Sequence, residues 1–199
     1  MSDRSFESRS KAYELLASAF TAEPDADAVR DFYSFDWVSL LGADCPLEEP
    51  DDCAAVASEN RSEFARMFLG PKKRIAPPYE SVYRSGVRRM GGCHAEDVRR
   101  CYEEAGVRRD GSVREPDDFV GFELQFASYL LAAASLAAES GDEDLLTESL
   151  KRYEEFLVYH LARWIPSFCD DILHADPKPF LALCARMLEA VVEYEAADR

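Results

Sequence analysis

Residues 115–141 read EPDDFVGFELQFASYLLAAASLAAESG, and this stretch determines the fold class. Its apolar side chains recur at intervals of three and four residues, which is the period of one helix face. The members of that face are Phe119, Phe122, Phe126, Tyr129, Leu130, Ala133, Leu136 and Ala137. Leu124 and Leu131 add apolar groups on another face, so we predict a central helix that is buried on more than one side. Pro116 and the acids beside it suit the start of a helix, and Gly141 predicts its end.

The sequence on both sides of this stretch carries the same helical period, and we predict about eight helices in all. Their approximate positions are 6–21, the turns after Pro24, 52–69 ending at Gly70-Pro71, 95–105, 115–140, 146–164, the segment from Phe168 after a break or bend at Pro166, and 177–191. No segment shows a sustained period of two, as strands would. The prediction is an all-α, single-domain helical bundle over residues 1–199, with a long, loop-rich connection at about residues 71–114.

Composition and charge exclude several classes of function. The 199 residues include 23 Lys and Arg but 39 Asp and Glu, which gives a formal net charge of −16. This charge disfavours non-specific binding to nucleic acid or to an anionic membrane, and it favours a basic partner. The longest apolar run, residues 126–138, is too short to span a bilayer. The N-terminal sequence MSDRSFESRSK has no signal-peptide features, so we expect a cytoplasmic protein.

The residues that carry most enzyme chemistry do not form a recognisable pattern. The motifs GxGxxG, GxxxxGK[ST], GxSxG and HExxH are absent, and no Glu stands three residues before a His, as a ferritin-type di-iron bundle requires. The six cysteines contain no CxxC pair, so neither a disulfide framework nor a structural zinc site is expected: Cys45, Cys53, Cys93, Cys101, Cys169 and Cys184. His160 lies on the apolar face of its helix and is better read as a core or groove histidine than as a ligand. We predict no catalytic residues, metal or cofactor.

The middle of the chain differs in charge from its flanks. Residues 72–114 hold eleven basic and six acidic side chains, whereas both flanks are strongly acidic. Two interpretations remain open: a solvated basic linker, or a loop that folds against the acidic halves and frames a groove. A long connection of this kind also allows either a monomer or a domain-swapped dimer.

Three stretches together resemble the TorD/DmsD family of cytosolic chaperones that mature molybdenum redox enzymes. The first is Gly70-Pro71 with APPYESVY at 76–83. The second runs from Tyr102 to Gly106 and continues with EPDDF at 115–119 and FELQF at 122–126. The third spans 156–166, with His160-Leu161 and Trp164-Ile165-Pro166, and is followed by Phe168. The resemblance covers nearly the whole chain. One position departs from the family, which often has His where this chain has Phe119.

The resemblance implies a chaperone that is not an enzyme. Such a protein binds the twin-arginine signal peptide of an apo molybdopterin oxidoreductase, assists cofactor insertion and delays export. The peptide-binding residues it implies are Tyr79, Ser81, Val82, Tyr83, Gly106, Glu115, Pro116, Asp117, Asp118, Phe119, His160 and Trp164. One alternative is an assembly chaperone for a non-exported catalytic subunit of the nitrate-reductase type. Another is a nucleotide-hydrolysing enzyme, although the chain has no Gly-rich phosphate loop.

The chemistry of a twin-arginine leader agrees with these residues. Guanidinium groups need carboxylates, and an apolar segment needs aromatic and aliphatic walls; the turn at residues 115–119 offers both. A purely structural role competes with this interpretation at each position. Asp117 and Asp118 would then only charge a helix N-terminus, and Tyr83 and Trp164 would only fill the core. The leading prediction is that Asp118 accepts a hydrogen bond from a leader arginine.

Overall fold

The computed structural model describes residues 3–21, 24–41, 47–69, 74–86, 89–109 and 114–197, with side chains from Phe6 onward. Ten α-helices lie in these ranges: α1 Asp3–Thr21, α2 Ala26–Ser34, α3 Trp37–Leu41, α4 Cys53–Phe64, α5 Glu80–Arg84, α6 Cys93–Glu104, α7 Val120–Ser140, α8 Glu143–Phe156, α9 Ala162–His174 and α10 Pro179–Ala197. A π-helical segment, Ala65–Leu69, continues α4, and a second, Leu157–Leu161, joins α8 to α9. The described residues contain no strand, so the all-α prediction is confirmed. The end that was predicted at Gly70-Pro71 for the helix at 52–69 lies outside the described residues. Cys45 lies outside them as well.

Helix α7 is the centre of the bundle, as its sequence predicts. It packs mainly against α1 and α8, and residues such as Leu124, Ala127 and Leu131 are fully buried. By length and composition alone α7 could also cross a membrane, which the apolar run 126–138 did not suggest. However, 61% of its apolar window is buried inside the protein. The core helix of a globular bundle has this composition because it packs against apolar neighbours on several sides.

The predicted start of α7, at residue 115, is five residues too early. The helix begins at Val120, with Phe119 at its N-cap position in an extended conformation. Residues 115–118 form a turn outside the helix. The reason is a long-range contact that local sequence rules do not contain: this turn pairs with residues 78–81 instead of winding into α7.

Of the break or bend predicted at Pro166, the break does not occur. Pro166 lies inside α9, which follows the π-helical segment Leu157–Leu161 without a loop. An interior proline usually costs about 3 kcal/mol because it removes one hydrogen bond and crowds the preceding turn. Trp164, Ile165 and Phe168 beside it are fully buried, so packing of this segment offsets that cost.

Helices from both flanks contribute to one hydrophobic cluster, which runs from Phe6 in α1 to Val192 in α10. The first and last helices are also joined by a polar contact, since Nε of Arg9 donates to Oε1 of Glu195 at 2.7 Å. The single-domain organisation stays a prediction. The shared core nevertheless places α5, α6 and the start of α7 against the two flanking halves, where the predicted site residues lie.

Candidate functional site

The first two sequence motifs meet at the start of α7. Tyr79 and Phe119 form an isolated antiparallel bridge. The backbone N–H of Val120 donates to the carbonyl of Pro78 at 2.9 Å, and that of Glu80 donates to the carbonyl of Asp118 at 3.1 Å. Residues about 40 positions apart therefore form one rigid junction. This part of the basic middle segment is buried and is not a solvated linker.

Asp118 lies at the centre of this junction and is fully buried. Its Oδ2 accepts a hydrogen bond from the backbone N–H of Ser81 at 2.8 Å. Its Oδ1 has no hydrogen-bond partner among the described residues. Since the Asp118 carboxylate is not exposed, direct contact with a leader arginine would require the junction to open, and the predicted hydrogen bond between them stays a prediction. The carboxylate instead fixes the start of α5 against the start of α7.

The twelve predicted site residues divide into three groups by exposure. Seven are buried: Tyr79, Ser81, Val82, Asp118, Phe119, His160 and Trp164. Four are half-buried: Tyr83, Glu115, Pro116 and Asp117. Gly106 is exposed. Most of the set is therefore enclosed within the protein, and Gly106 and the half-buried residues are the members that reach solvent. Their role in peptide binding stays a prediction.

Below the junction lies a buried polar network that sequence reasoning did not assign. Nε1 of Trp164 donates to Oε2 of Glu123 at 3.0 Å, and Glu80 forms an ion pair with Arg84. Glu80 and Glu123 are fully buried. Burial raises the pKa of Glu123 well above its ordinary value, and the negative charge of Glu80 adds to this effect. The protonated acid is therefore favoured at Glu123.

His160 connects this network to the surface. Its Nδ1 lies 2.9 Å from Oε2 of Glu80, and its Nε2 lies 3.6 Å from Sγ of Cys101. Burial by itself lowers the pKa of His160, but the contacts with Cys101 and Glu80 outweigh burial and raise it to about 9. The imidazole is then positively charged at neutral pH and paired with Glu80, so the interpretation of His160 as a satisfied groove histidine agrees with its contacts.

Phe126 lines two grooves. We call the first the polar groove; its volume is about 510 Å³, and it is lined by charged side chains of α6 and α8 together with Cys101, Tyr159 and His160. We call the second the aromatic groove; its volume is about 520 Å³, and its wall includes Tyr102, Val107, Phe122 and Tyr129. Tyr129 is 48% exposed, which is high for an aromatic side chain next to other aromatics.

One arginine closes the edge of the aromatic groove. Nε of Arg109 lies 3.0 Å from Oδ1 of Asp117, and its Nη1 donates to the carbonyl of Glu115 at 2.7 Å. The centre of its guanidinium group lies 4.4 Å from the centroid of the Phe122 ring. Asp117 is therefore paired within the chain, and it lines a second pocket that adjoins the aromatic groove and shares Arg109 with it.

Sequence reasoning missed Arg109, Cys101, Glu80 and Glu123. The two glutamates stood inside the quoted motifs, but their burial depends on contacts between distant segments. Arg109 belonged to a basic segment with no periodicity, so nothing in the sequence marked it as the partner of Asp117. Among the described residues no group of three or more His, Cys, Asp and Glu could hold a metal ion.

Comparison with known proteins identifies the family. Residues 41–170 match the family model described as the nitrate reductase delta subunit. The chain is 24% identical to the chaperone protein TorD of Escherichia coli over 94% of each chain. It is 26% identical to the chaperone protein TorD of Vibrio cholerae over 69% of this chain and 60% of that protein. A third relative, from Photobacterium profundum, has the same name and is 25% identical over 96% of this chain and 94% of its own length. The chain therefore belongs to the nitrate reductase delta subunit family and is a TorD-like chaperone, not an enzyme.

Proposed function

We propose that this chaperone binds the twin-arginine leader of an apo molybdopterin oxidoreductase in the cytoplasm, assists insertion of the cofactor and delays export of the partner. The observation that supports this best is the position of Asp117. Its carboxylate lines a pocket that adjoins the aromatic groove and shares Tyr102, Val107 and Arg109 with it. Arg109 connects the two, because its side chain pairs with Asp117 and lies over the Phe122 ring of the aromatic groove. A leader peptide presents the complementary arrangement, in which arginines precede an apolar segment.

Electrostatics of the whole chain support the same partner. A net charge of −16 attracts a cationic peptide over several ångströms and raises its association rate. The apolar wall then supplies short-range affinity that salt does not screen. We therefore expect leader binding to weaken with salt only modestly.

A second candidate target follows from the description of the matched family. Nitrate reductase delta subunit names a partner type that need not carry an exported leader. In that case the aromatic groove would accept an apolar segment of a non-exported catalytic subunit. The two candidates differ in whether a free Arg-Arg leader binds at all.

The test is calorimetry with a synthetic leader that carries Arg-Arg before an apolar segment. Wild type should bind it with micromolar or tighter affinity. Asp117→Asn should weaken binding by up to about fivefold, because an ion pair with a partly exposed carboxylate contributes roughly 0–1 kcal/mol. A Lys-Lys leader should also bind more weakly, since an ammonium group cannot match the fork of a guanidinium.

Asp31→Asn is the matched control, because it removes the same charge from an exposed position on α2. It should leave the affinity within about twofold. Equal affinity of Asp117→Asn and wild type would remove the aromatic groove from the leader site. Failure of wild type to bind the leader, with recovery of an apo oxidoreductase from native cytosol, would favour the non-exported target.

A further inference from the structure

We infer that Arg109 is an internal ligand, which occupies the subsite that a leader arginine enters and is displaced when the leader binds. This inference rests on the proposed function, because it names the atoms of the guanidinium subsite and the group that fills it in the free chaperone. It also predicts that Arg109 lowers the affinity of the free protein for the leader.

The surroundings of Arg109 contain every element that recognises a guanidinium group. The carboxylate of Asp117 supplies the charge, with Oδ1 lying 3.0 Å from Nε. Two carbonyl oxygens accept from Nη1, that of Glu115 at 2.7 Å and that of Pro116 at 3.3 Å. The ring of Phe122 provides an aromatic face at 4.4 Å. Because these groups contact only the head group, they would recognise a guanidinium on another chain equally well.

The framework of the subsite does not depend on Arg109. Tyr102 holds the two segments that meet at the subsite. Its hydroxyl donates to the carbonyl of Asp117 at 3.0 Å, and its carbonyl accepts from the N–H of Val107 at 2.8 Å. The Tyr79–Phe119 bridge fixes the other end of the turn. Withdrawal of the Arg109 side chain would therefore leave the acceptors in place.

Displacement of Arg109 is feasible energetically. The side chains of Arg109 and Asp117 are 23% and 24% exposed, so water reaches both partners. Ion pairs with this much exposure contribute little net free energy, because solvation replaces most of the attraction. A leader arginine that replaces Arg109 would make nearly the same polar contacts as Arg109 does. The apolar segment of the leader would then add new contacts along the aromatic groove.

The location of the subsite also agrees with the order of features in a leader. Arg109 and Phe122 themselves form part of the aromatic groove, and Phe126 and Tyr129 continue its wall. A peptide whose arginine replaces Arg109 would place its following residues on that wall. The cost of displacing Arg109 is the same for a leader arginine and a leader lysine. The preference for arginine comes from the acceptors themselves, which match a forked donor better than a single ammonium group.

The test compares Arg109→Gln with Arg108→Gln. Both variants lose one positive charge, and both positions border the aromatic groove, but Arg108 is exposed. If the subsite is open about a tenth of the time in wild type, Arg109→Gln should bind the Arg-Arg leader about tenfold more tightly. Arg108→Gln should stay within about twofold of wild type. A Lys-Lys leader that enters the same subsite should gain by the same factor and stay the weaker ligand.

A second probe separates this inference from the proposed function. N-acetyl-argininamide carries one guanidinium group and no apolar segment, and its binding is followed by NMR titration. Binding to Arg109→Gln but not to wild type would establish the subsite even if no leader binds. Equal or weaker leader affinity of Arg109→Gln would overturn the inference while leaving leader binding intact. Failure of both probes with every variant would overturn both. Should Arg109→Gln not fold, Arg109→Lys carries the same comparison, with a smaller expected gain.

Discussion

Asp117 and Asp118 are neighbours in the sequence, but they lie in opposite environments. Asp118 is fully buried and accepts from the N–H of Ser81, whereas Asp117 lies at the edge of a groove. Asp118→Ala should destabilise the protein by roughly 1.5–3 kcal/mol, because it leaves a buried N–H without its charged acceptor. Asp118→Asn keeps an acceptor oxygen and should cost less. Urea denaturation measures both, and equal stability of Asp118→Ala and wild type would contradict the structural role.

His160 makes the stability of the fold dependent on pH. Its pKa is raised from 6.5 to about 9 in the folded protein, so the folded state holds this proton more tightly than the unfolded state. The resulting stabilisation is complete below about pH 6.5 and is lost as the pH rises through about 9. Its size is up to about 3 kcal/mol. The unfolding free energy of wild type should therefore fall across this window.

The variant His160→Gln isolates this contribution. Glu123 also has a raised pKa and makes stability fall with rising pH, so the informative quantity is the difference in slope between wild type and variant. His160→Gln should lose the additional slope between pH 6.5 and 9. His174→Gln, at an exposed position near the end of α9, should keep it. Parallel curves for wild type and His160→Gln would contradict the ion pair with Glu80.

At the scale of elements, the contact between α1 and α7 depends on the absence of one side chain. A Cβ at Gly121 would overlap Oγ1 of Thr21 and lie 2.9 Å from Cε1 of Phe119. Gly121→Ala should destabilise the protein by about 1–3 kcal/mol, although alanine favours a helix. The same change in a Thr21→Ala background should cost much less, since the overlapping hydroxyl is gone. Thermal unfolding of the four proteins gives the interaction energy directly.

Helices with a long apolar period were predictable, and contacts between distant segments were not. The period in residues 119–137 predicts α7 and its central position, and the same rule predicts α1, α6, α8 and α10. The helices α3 and α5 have five residues each, which is too short for a period to show. The start of α7 was placed too early because the pairing of residues 115–119 with 78–81 competes with local helix signals.

The candidate site was predictable by location but not by residue role. The motifs identified both segments of the junction and the groove histidine. Which acid faces solvent could not be read from the sequence, because Asp117 and Asp118 are adjacent and chemically identical. The pairing of Arg109 with Asp117 depends on how the loop after α6 returns towards α7, which no sequence spacing specifies.

At the scale of the whole molecule, the two ends of the chain stabilise each other. Arg9 in α1 and Glu195 in α10 are 12% and 5% exposed, and the hydroxyl of Tyr153 also donates to Glu195 at 2.9 Å. Glu195→Ala should cost about 3–5 kcal/mol, because it leaves a buried guanidinium without its carboxylate. Glu14→Ala removes the exposed partner of Lys11 and should change stability by at most about 1 kcal/mol. Urea denaturation measures the loss of unfolding free energy in each variant. Similar losses for Glu195→Ala and Glu14→Ala would show that the packing of α10 does not depend on this ion pair.

Phe126 is a wall residue of both the polar groove and the aromatic groove. Its ring contacts Tyr102 at a centroid distance of 4.7 Å and Phe156 at 4.9 Å, both edge to face. Tyr102 lines the aromatic groove and Phe156 lines the polar groove, so the packing of this one ring is linked to the lining of both. A shift of the ring would therefore change the shape of the two grooves together, and an occupant of one groove would alter the other through a single side chain.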